Sequence, residues 1–481
     1  MHVAAQLDLD LLALNAEDHV TCLVRLEAPV PPEAADRAGQ ALVVVLDRSG
    51  SMGGGRLEGA KRALIALVRR LAPQDAFGLV TFDSEAELVV PVRRMADHTT
   101  AEVADLIGRV RPRGTTDLSA GFLLGLREAK RLLANAEADG TPLAGATLLI
   151  VSDGHANAGI VDRDELTSVA ARAAAEARIT TSTLGVGTGY DEVLLTAITD
   201  GGGGEHRFAP DPDSAVAELA SSVTDLLSKS VVGAVLRVRP QPGLVLGVEV
   251  RGRYRHHFER PDVVVSIGDL FGGEERTALV RLHVPALATL GTATIADVIV
   301  EFTSLPDLRE HRVSLPVSVN VVPGDEARGR IPDPIVTAES LLLDVAESKA
   351  GVAETLRSGD STRARADLEE LSRRLRDGRA EVDADAAPEA AARLDEAAAE
   401  LDGLRAELVD RDALWSAKRV QEDSSWNLRG RRSRMKGTLA DWERQHGSLD
   451  GGTAPDPTSG SDPTDPSGGP GEPGDGTPPA A

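Results

Sequence analysis

Along residues 41–229, strand-like segments alternate with segments whose apolar positions recur at three- and four-residue intervals. ALVVVLD (41–47) is apolar up to its closing Asp47, as expected of a parallel strand buried on both faces, TLLIVSD (147–153) is again a buried strand, and AFGLVTFD (76–83) and ITTSTLGVG (179–187) read as two more strands. RLEGAKRALIALVRRLA follows a glycine-rich turn with helical spacing. Further helices are predicted near 99–109, 119–136, 162–177, 191–199 and 212–229, a short partner strand in AELVVPV, and a strand around 205–208. Such alternation predicts a parallel sheet with helices on both faces, a doubly wound, Rossmann-like α/β fold.

The pattern changes on either side. Residues 231–322 contain VVGAVLRVRP, LVLGVEVR, DVVVSIGDL, RTALVRLHVP, TIADVIVEFT and HRVSLPVSVNVVP, with turn residues between them and no helical period. That predicts an antiparallel β-sandwich. The strand in 19–27, before Pro29, Pro31 and Pro32, is expected to join this sandwich, with the α/β domain inserted into it. Ala, Leu, Glu and Arg dominate 333–445, a helical region broken near Gly359 and Pro388. Beyond His446 the chain is Gly, Pro, Ser, Thr and Asp with no apolar face to bury, which predicts a disordered tail. The resulting division is 1–38 (strands of the sandwich), 39–230 (α/β domain), 231–325 (β-sandwich), 326–446 (helical region) and 447–481 (tail).

Length and composition bound this picture. A chain of 481 residues exceeds one compact core. Apolar residues make up 42% but aromatics only 2%, so the cores rest on Val, Leu, Ile and Ala. A formal net charge of -24 argues against a general nucleic-acid binder, whose affinity rests on Lys and Arg, and suits attraction for cations. With one cysteine, Cys22, neither an intrachain disulfide nor a multi-thiolate zinc site can form. Cys22 lies in an apolar strand and reads as a small core residue. The first fifteen residues carry Asp8 and Asp10 and no Lys or Arg, unlike a signal peptide, and no apolar run is long enough for a membrane span. The expected location is the cytosol, and the Ala/Arg/Gly-heavy, Lys-poor usage suggests a high-GC bacterium.

The candidate chemistry sits where the first buried strand ends, in Asp47-Arg48-Ser49-Gly50-Ser51. Open parallel sheets bind ligands at the carboxyl ends of their strands, near the point where strand order reverses. Three oxygen side chains at alternate positions of a tight loop can converge on one point, and Gly50 relieves crowding between the serines. Carboxylate and hydroxyl oxygens suit a hard cation, and few protein charges suit Mg²⁺ better than a closed Ca²⁺ cage. Asp153 ends another buried strand on the same sheet edge, and Thr116 lies in the RGTTDLSAG loop before a helix.

ALVVVLDRSGSM resembles the opening of von Willebrand factor A-type domains, which carry D-x-S-x-S in a metal-ion-dependent adhesion site (MIDAS). The resemblance extends over about residues 39–229. It implies further ligands in a G-G-T-[DN]-like loop and at the end of the fourth strand, which match Thr116 in Gly114-Thr115-Thr116-Asp117 and Asp153. One Gly of the usual pair is replaced here by Thr115. By the resemblance, Ser49, Ser51 and Thr116 would bind the metal through hydroxyl oxygens, with Asp47 and Asp153 acting directly or through water. Mg²⁺ is the expected ion, with Mn²⁺ or Ca²⁺ as alternatives, and one coordination position is left for a partner's Asp or Glu. The implied function is a non-catalytic, metal-dependent protein-interaction module, a scaffold or assembly factor of the stand-alone bacterial type, working beside an AAA+ ATPase system in some members.

Two other readings of the same loops are open. Ser49 and Ser51 could merely cap the first helix. A metal-assisted hydrolase would need a general base beside the metal, and the metal loops offer only His155 for that role. Arg429, Arg431, Arg432, Arg434 and Lys436, near Trp426 and Trp442, read as a helix lying on the protein's own acidic surface, or else as a docking surface. His256 and His257 are adjacent on a strand and so point to opposite faces, which precludes a shared ion. Gly201–Gly204 is followed by no Gly-Lys-Ser/Thr and is not a phosphate loop.

Overall fold

The structure is a computed structural model, and it describes residues 1–30, 38–305 and 308–431. The predicted tail and Arg432, Arg434, Lys436 and Trp442 lie outside the described residues. Three strands come first: β1 (His2–Leu7), β2 (Leu11–Ala13) and β3 (Asp18–Glu27). The α/β unit follows with β4 (Ala41–Asp47), α1 (Arg56–Val68), β5 (Ala76–Phe82), β6 (Ala86–Arg94), α2 (Thr100–Arg109) and α3 (Leu118–Ala138). It continues through β7 (Ala146–Ser152), α4 (Arg163–Ala177), β8 (Ile179–Val186), α5 (Glu192–Gly202), β9 (Gly203–Ala209) and α6 (Pro212–Leu227).

Its six strands are ordered β6-β5-β4-β7-β8-β9, all parallel except the edge strand β6. Every residue of β4 is buried, as its unbroken apolar run requires. Alternate residues feed two cores. Leu42, Val44 and Leu46 pack with Leu57, Val103 and Val216 on one face, while Val43 and Val45 pack with Phe122, Leu166 and Ile198 on the other. The chain leaves β4 for β5 on one side and later returns to β7 on the other. Strand order therefore reverses at β4, and the carboxyl ends of β4 and β7 border the crevice where such sheets bind ligands.

The glycine run after 200 serves packing. Gly201 closes α5 against α4 so tightly that a Cβ there would stand 2.3 Å from the Thr167 carbonyl oxygen. A Cβ on Gly204, in β9, would stand 2.2 Å from that of Thr181.

The second body contains β10 (Lys229–Pro240), β11 (Gly247–Val250), β12 (Arg255–Glu259), β13 (Asp262–Phe271), β14 (Glu275–Val284), β15 (Gly291–Ser304) and β16 (Glu310–Val322). Two sheets, β1-β3-β14-β11 and β12-β13-β10-β15-β16-β2, enclose one core of Val, Leu and Ile that also takes in Cys22. Strand β3 pairs antiparallel with β1 on one side and with β14 on the other. The α/β unit thus enters the chain between two strands of the same sandwich.

A short turn of helix, α7 (Gly324–Ala327), leads to four long helices: α8 (Pro334–Arg357), α9 (Ser361–Glu381), α10 (Pro388–Asp410) and α11 (Ala413–Asn427). They share a core of Leu, Val and Ala. Helix α11 also seats on the α/β unit, where Glu422 accepts a hydrogen bond from the Phe208 amide at 3.0 Å and Lys418 donates to the Tyr190 carbonyl at 3.0 Å. Trp415 meets Phe208 edge-on, and Trp426 lies under the guanidinium groups of Arg207 and Arg431. Of the basic cluster, Arg429 pairs with Asp200 and Arg431 with Glu205. These two cations bind the protein's own acidic groups.

Between the helices and the sandwich lies a cavity of about 310 Å³ bordered by Tyr254, Lys349, Arg393 and Glu400. Lys349 pairs with Asp423, and its ammonium is 4.0 Å from Glu400. Burial pushes the Glu400 carboxyl up to about 8, helped by its hydrogen bond to Asp423 and that residue's charge, against the pull of Lys349. The folded chain keeps this proton up to about pH 8, whereas the unfolded chain releases it near 4.5. Stability therefore falls as pH rises through that window. Glu400→Gln, which keeps a donor for Asp423, is expected to add about 1–2 kcal/mol at pH 8 and to flatten the profile between pH 5 and 8. Urea melts at three pH values check this, and an equal slope in both proteins refutes it.

Candidate metal centre

Asp47 is wholly buried at the end of β4. Its Oδ1 accepts the Ser49 amide at 2.7 Å and its Oδ2 accepts the Ser152 hydroxyl at 2.6 Å. Burial lifts its carboxyl to about 6, hydrogen bonds from Ser152 and Ser49 act against that, and the charge of Asp153 adds to it. The loop then turns through one 3₁₀ segment, Gly50–Met52, pinned by the buried Met52 side chain. This turn brings Ser49 Oγ and Ser51 Oγ to 3.0 Å from each other. Ser51 Oγ donates to Asp153 Oδ1 at 2.7 Å. Neither serine caps the first long helix: the N-cap of α1 is Gly55, and Ser49 makes no side-chain capping bond. The two hydroxyls are committed to each other and to the sheet edge.

Thr116 is buried while Thr115 beside it is exposed. The Thr116 amide donates to Asn157 Oδ1 at 3.2 Å, and its carbonyl accepts from the Asn157 amide at 3.2 Å. Its hydroxyl borders Gly154: a Cβ there would stand 3.3 Å from Thr116 Oγ1 and 3.5 Å from Ser51 Oγ. A side chain at 154 would fill the space that these two hydroxyls face. Asp47, Ser49, Ser51, Thr116 and Asp153 thus form one continuous cluster of oxygens from three loops.

Residues that the motif does not name hold the cluster. Ser152 fixes Asp47, and Asn157 fixes Thr116. Arg56 Nη1 reaches back from the start of α1 to Asp153 Oδ2 at 2.7 Å and to the Ser51 carbonyl at 3.0 Å. Arg48, between two motif positions, points away and binds Asp83 Oδ2 at 2.6 Å, where Arg113 of the Thr116 loop also binds at 2.8 Å. Backbone bonds tie the same loops, with Gly50 N to Gly114 O at 3.3 Å and Arg113 N to Arg48 O at 2.7 Å. Only Arg56 left a sequence signal. A cation in the first helical turn opposes the helix dipole and calls for a nearby anion.

The donor set suits a hard cation. Three hydroxyls and two carboxylates supply only oxygen, as Mg²⁺, Mn²⁺ and Ca²⁺ require. Among the described residues no cluster of three or more His, Cys, Asp or Glu could hold a metal, so the hydroxyls are indispensable to any such site here. His155 is largely exposed, with its ring 4.0 Å from the Asp191 carboxylate.

The family model for the von Willebrand factor type A domain matches residues 41–222. An uncharacterized protein of Synechocystis is 26% identical over 334 residues, spanning 66% of this chain and 74% of that protein. The uncharacterized protein YfbK of Escherichia coli is 27% identical over 249 residues, half of this chain but only 41% of YfbK. A solved von Willebrand factor type A protein from Catenulispora acidiphila superposes with a TM-score of 0.64 at 17% identity, over 79% of this chain and 87% of that one, a likeness of fold. Domains of this family commonly bind a divalent metal at a MIDAS and mediate protein–protein interactions. Among the described residues no helix is long and apolar enough to cross a membrane. The reversed strand order at β4, the oxygen cluster at its end and the match over 41–222 agree: this part of the chain is a von Willebrand factor type A domain.

Proposed function

We propose that the cluster binds one divalent cation, Mg²⁺ in preference to Mn²⁺ or Ca²⁺, and that the loaded site docks an Asp or Glu side chain of a partner protein. Ser49, Ser51 and Thr116 would hold the ion, with Asp47 and Asp153 behind them. The bound metal supplies a Lewis-acidic point that attracts a carboxylate. The observation that carries this reading is the short Ser49–Ser51 separation beside Thr116, with each carboxylate engaged by a serine hydroxyl. Asp47 engages the Ser152 hydroxyl and the Ser49 amide, and Asp153 engages the Ser51 hydroxyl and the Arg56 guanidinium, which leaves the ion's charge available to an incoming anion. The chain would act as a scaffold or assembly factor and catalyse nothing.

Titration calorimetry with Mg²⁺ and Mn²⁺ tests the site. Wild type is expected to bind one equivalent, and Asp47→Ala to lose about 10–100-fold in affinity while still folding. Equal affinity in the variant would sink the assignment. A partner captured from the native host should elute with EDTA and fail to bind Asp47→Ala.

A further inference from the structure

Arg56 is an odd residue in its place. It opens α1, directly after Gly55, where the helix dipole disfavours a cation. Its guanidinium is folded back over the metal loop instead of extending into water, and its side chain is still 38% exposed. One nitrogen bridges Asp153 Oδ2 and the Ser51 carbonyl. Gly187, at a φ of 72°, leaves room for it: a Cβ there would stand 3.4 Å from the guanidinium. Asp153 thus has both oxygens engaged by donors, Ser51 on Oδ1 and Arg56 on Oδ2, and its charge is neutralised by a cation at 2.7 Å.

We infer that Arg56 is a positioning and specificity residue: it keeps Asp153 from binding the metal directly and presents a second positive charge to the partner's carboxylate. The inference rests on the metal reading above. Two consequences follow with opposite signs. With Arg56 in place, Asp153 spends its charge on the guanidinium, so the metal is held more weakly but stays more electrophilic. Without it, Asp153 is free to bind the ion as an anion, and one repelling charge is gone. Metal affinity then rises, while affinity for an added carboxylate falls. A merely structural role predicts a different result, since loosening the loop would weaken both.

The test uses Mn²⁺ as metal and acetate as the carboxylate probe on the full chain. Metal affinity is read by calorimetry, and acetate by the loss of Mn²⁺-induced water-proton relaxation as it displaces bound water. Arg56→Gln is expected to bind Mn²⁺ about tenfold more tightly and acetate several-fold more weakly than wild type. Arg56→Lys, which keeps the charge, should stay nearer wild type on acetate. Asp153→Asn combined with Arg56→Gln should abolish the gain in metal affinity. Unchanged or weaker Mn²⁺ binding in a folded Arg56→Gln protein overturns the inference while leaving the metal site intact. Absence of Mn²⁺ binding in wild type overturns the metal reading itself, and this inference with it.

Discussion

Lys229→Met is expected to destabilise the protein by about 3–5 kcal/mol, because it strands a buried carboxylate. Lys229 opens β10 and pairs with Asp269 of β13 at 2.7 Å, with both side chains less than a tenth exposed. Asp269 also accepts from the Thr180 hydroxyl of β8 at 2.8 Å and the Gly233 amide at 3.0 Å. Burial pushes the Asp269 carboxyl up, yet the charge and hydrogen bond of Lys229, with those of Gly233 and Thr180, hold it below the usual value. Without the ammonium, two neutral donors remain for a buried charge between the α/β sheet and the sandwich. The double variant Lys229→Met/Asp269→Leu should recover much of the loss, since removing both charges also removes their desolvation cost. Guanidinium melts of the three proteins decide it. A loss below about 1 kcal/mol would mean that water reaches the pair.

Asp83→Ala is expected to cost about 3 kcal/mol and to weaken metal binding as well. Asp83 receives Arg48 and Arg113, one from the metal loop and one from the Thr116 loop. Burial opposes the charge of Asp83, but the hydrogen bonds of Arg113 and Arg48 and the charge of Arg48 outweigh it and hold its carboxyl near 2. A depressed value means stability that is present above the unfolded value of 3.8 and is lost as pH falls toward 2. In the alanine variant Arg48 keeps only Glu87, at 2.8 Å and half exposed. The two loops would then lose their common anchor, and the Ser51 and Thr116 hydroxyls their fixed separation. Chemical denaturation and Mn²⁺ titration on the same variant separate the two effects. Full Mn²⁺ affinity in a destabilised protein would show that the backbone bonds alone hold the loops.

The fold class was legible because its signal is local. ALVVVLD is apolar at every position before its closing Asp47, and only a strand covered on both faces buries every position, as β4 does. The repeat of such runs with helical segments between them leaves few architectures open. The D-x-S-x-S loop was legible for the same reason, since its residues are neighbours in the chain. What holds that loop was not legible, because it comes from far away. Ser152 reaches Asp47 across two adjacent strands, Asp83 collects arginines from two different loops, and Arg56 meets Asp153 about 100 residues on. Apart from Arg56, whose place at the start of a helix hints at a nearby anion, nothing in local spacing marks an arginine as inward-facing. The glycine run at 201–204 was unreadable for a related reason: its role lies in the carbonyls of Thr167 and Thr181, which only packing brings near. Strand β12 was the weakest signal, since every residue of RHHFE is exposed and no alternation marks it.

The pairing of β3 with β14 has a consequence for how the chain is made. Glu27 pairs with Glu275, so β3 leaves the ribosome roughly 250 residues before its partner. At about 5–20 residues per second it waits between about ten seconds and a minute with only β1 beside it. Its apolar centre, Val20–Val24, is exposed for that time, while the α/β unit can collapse on its own neighbours. The nascent chain therefore carries an unsatisfied β3 edge through the synthesis of the whole α/β unit, and β2 waits longer still for β16. That interval, more than the finished structure, is when this protein most needs a chaperone.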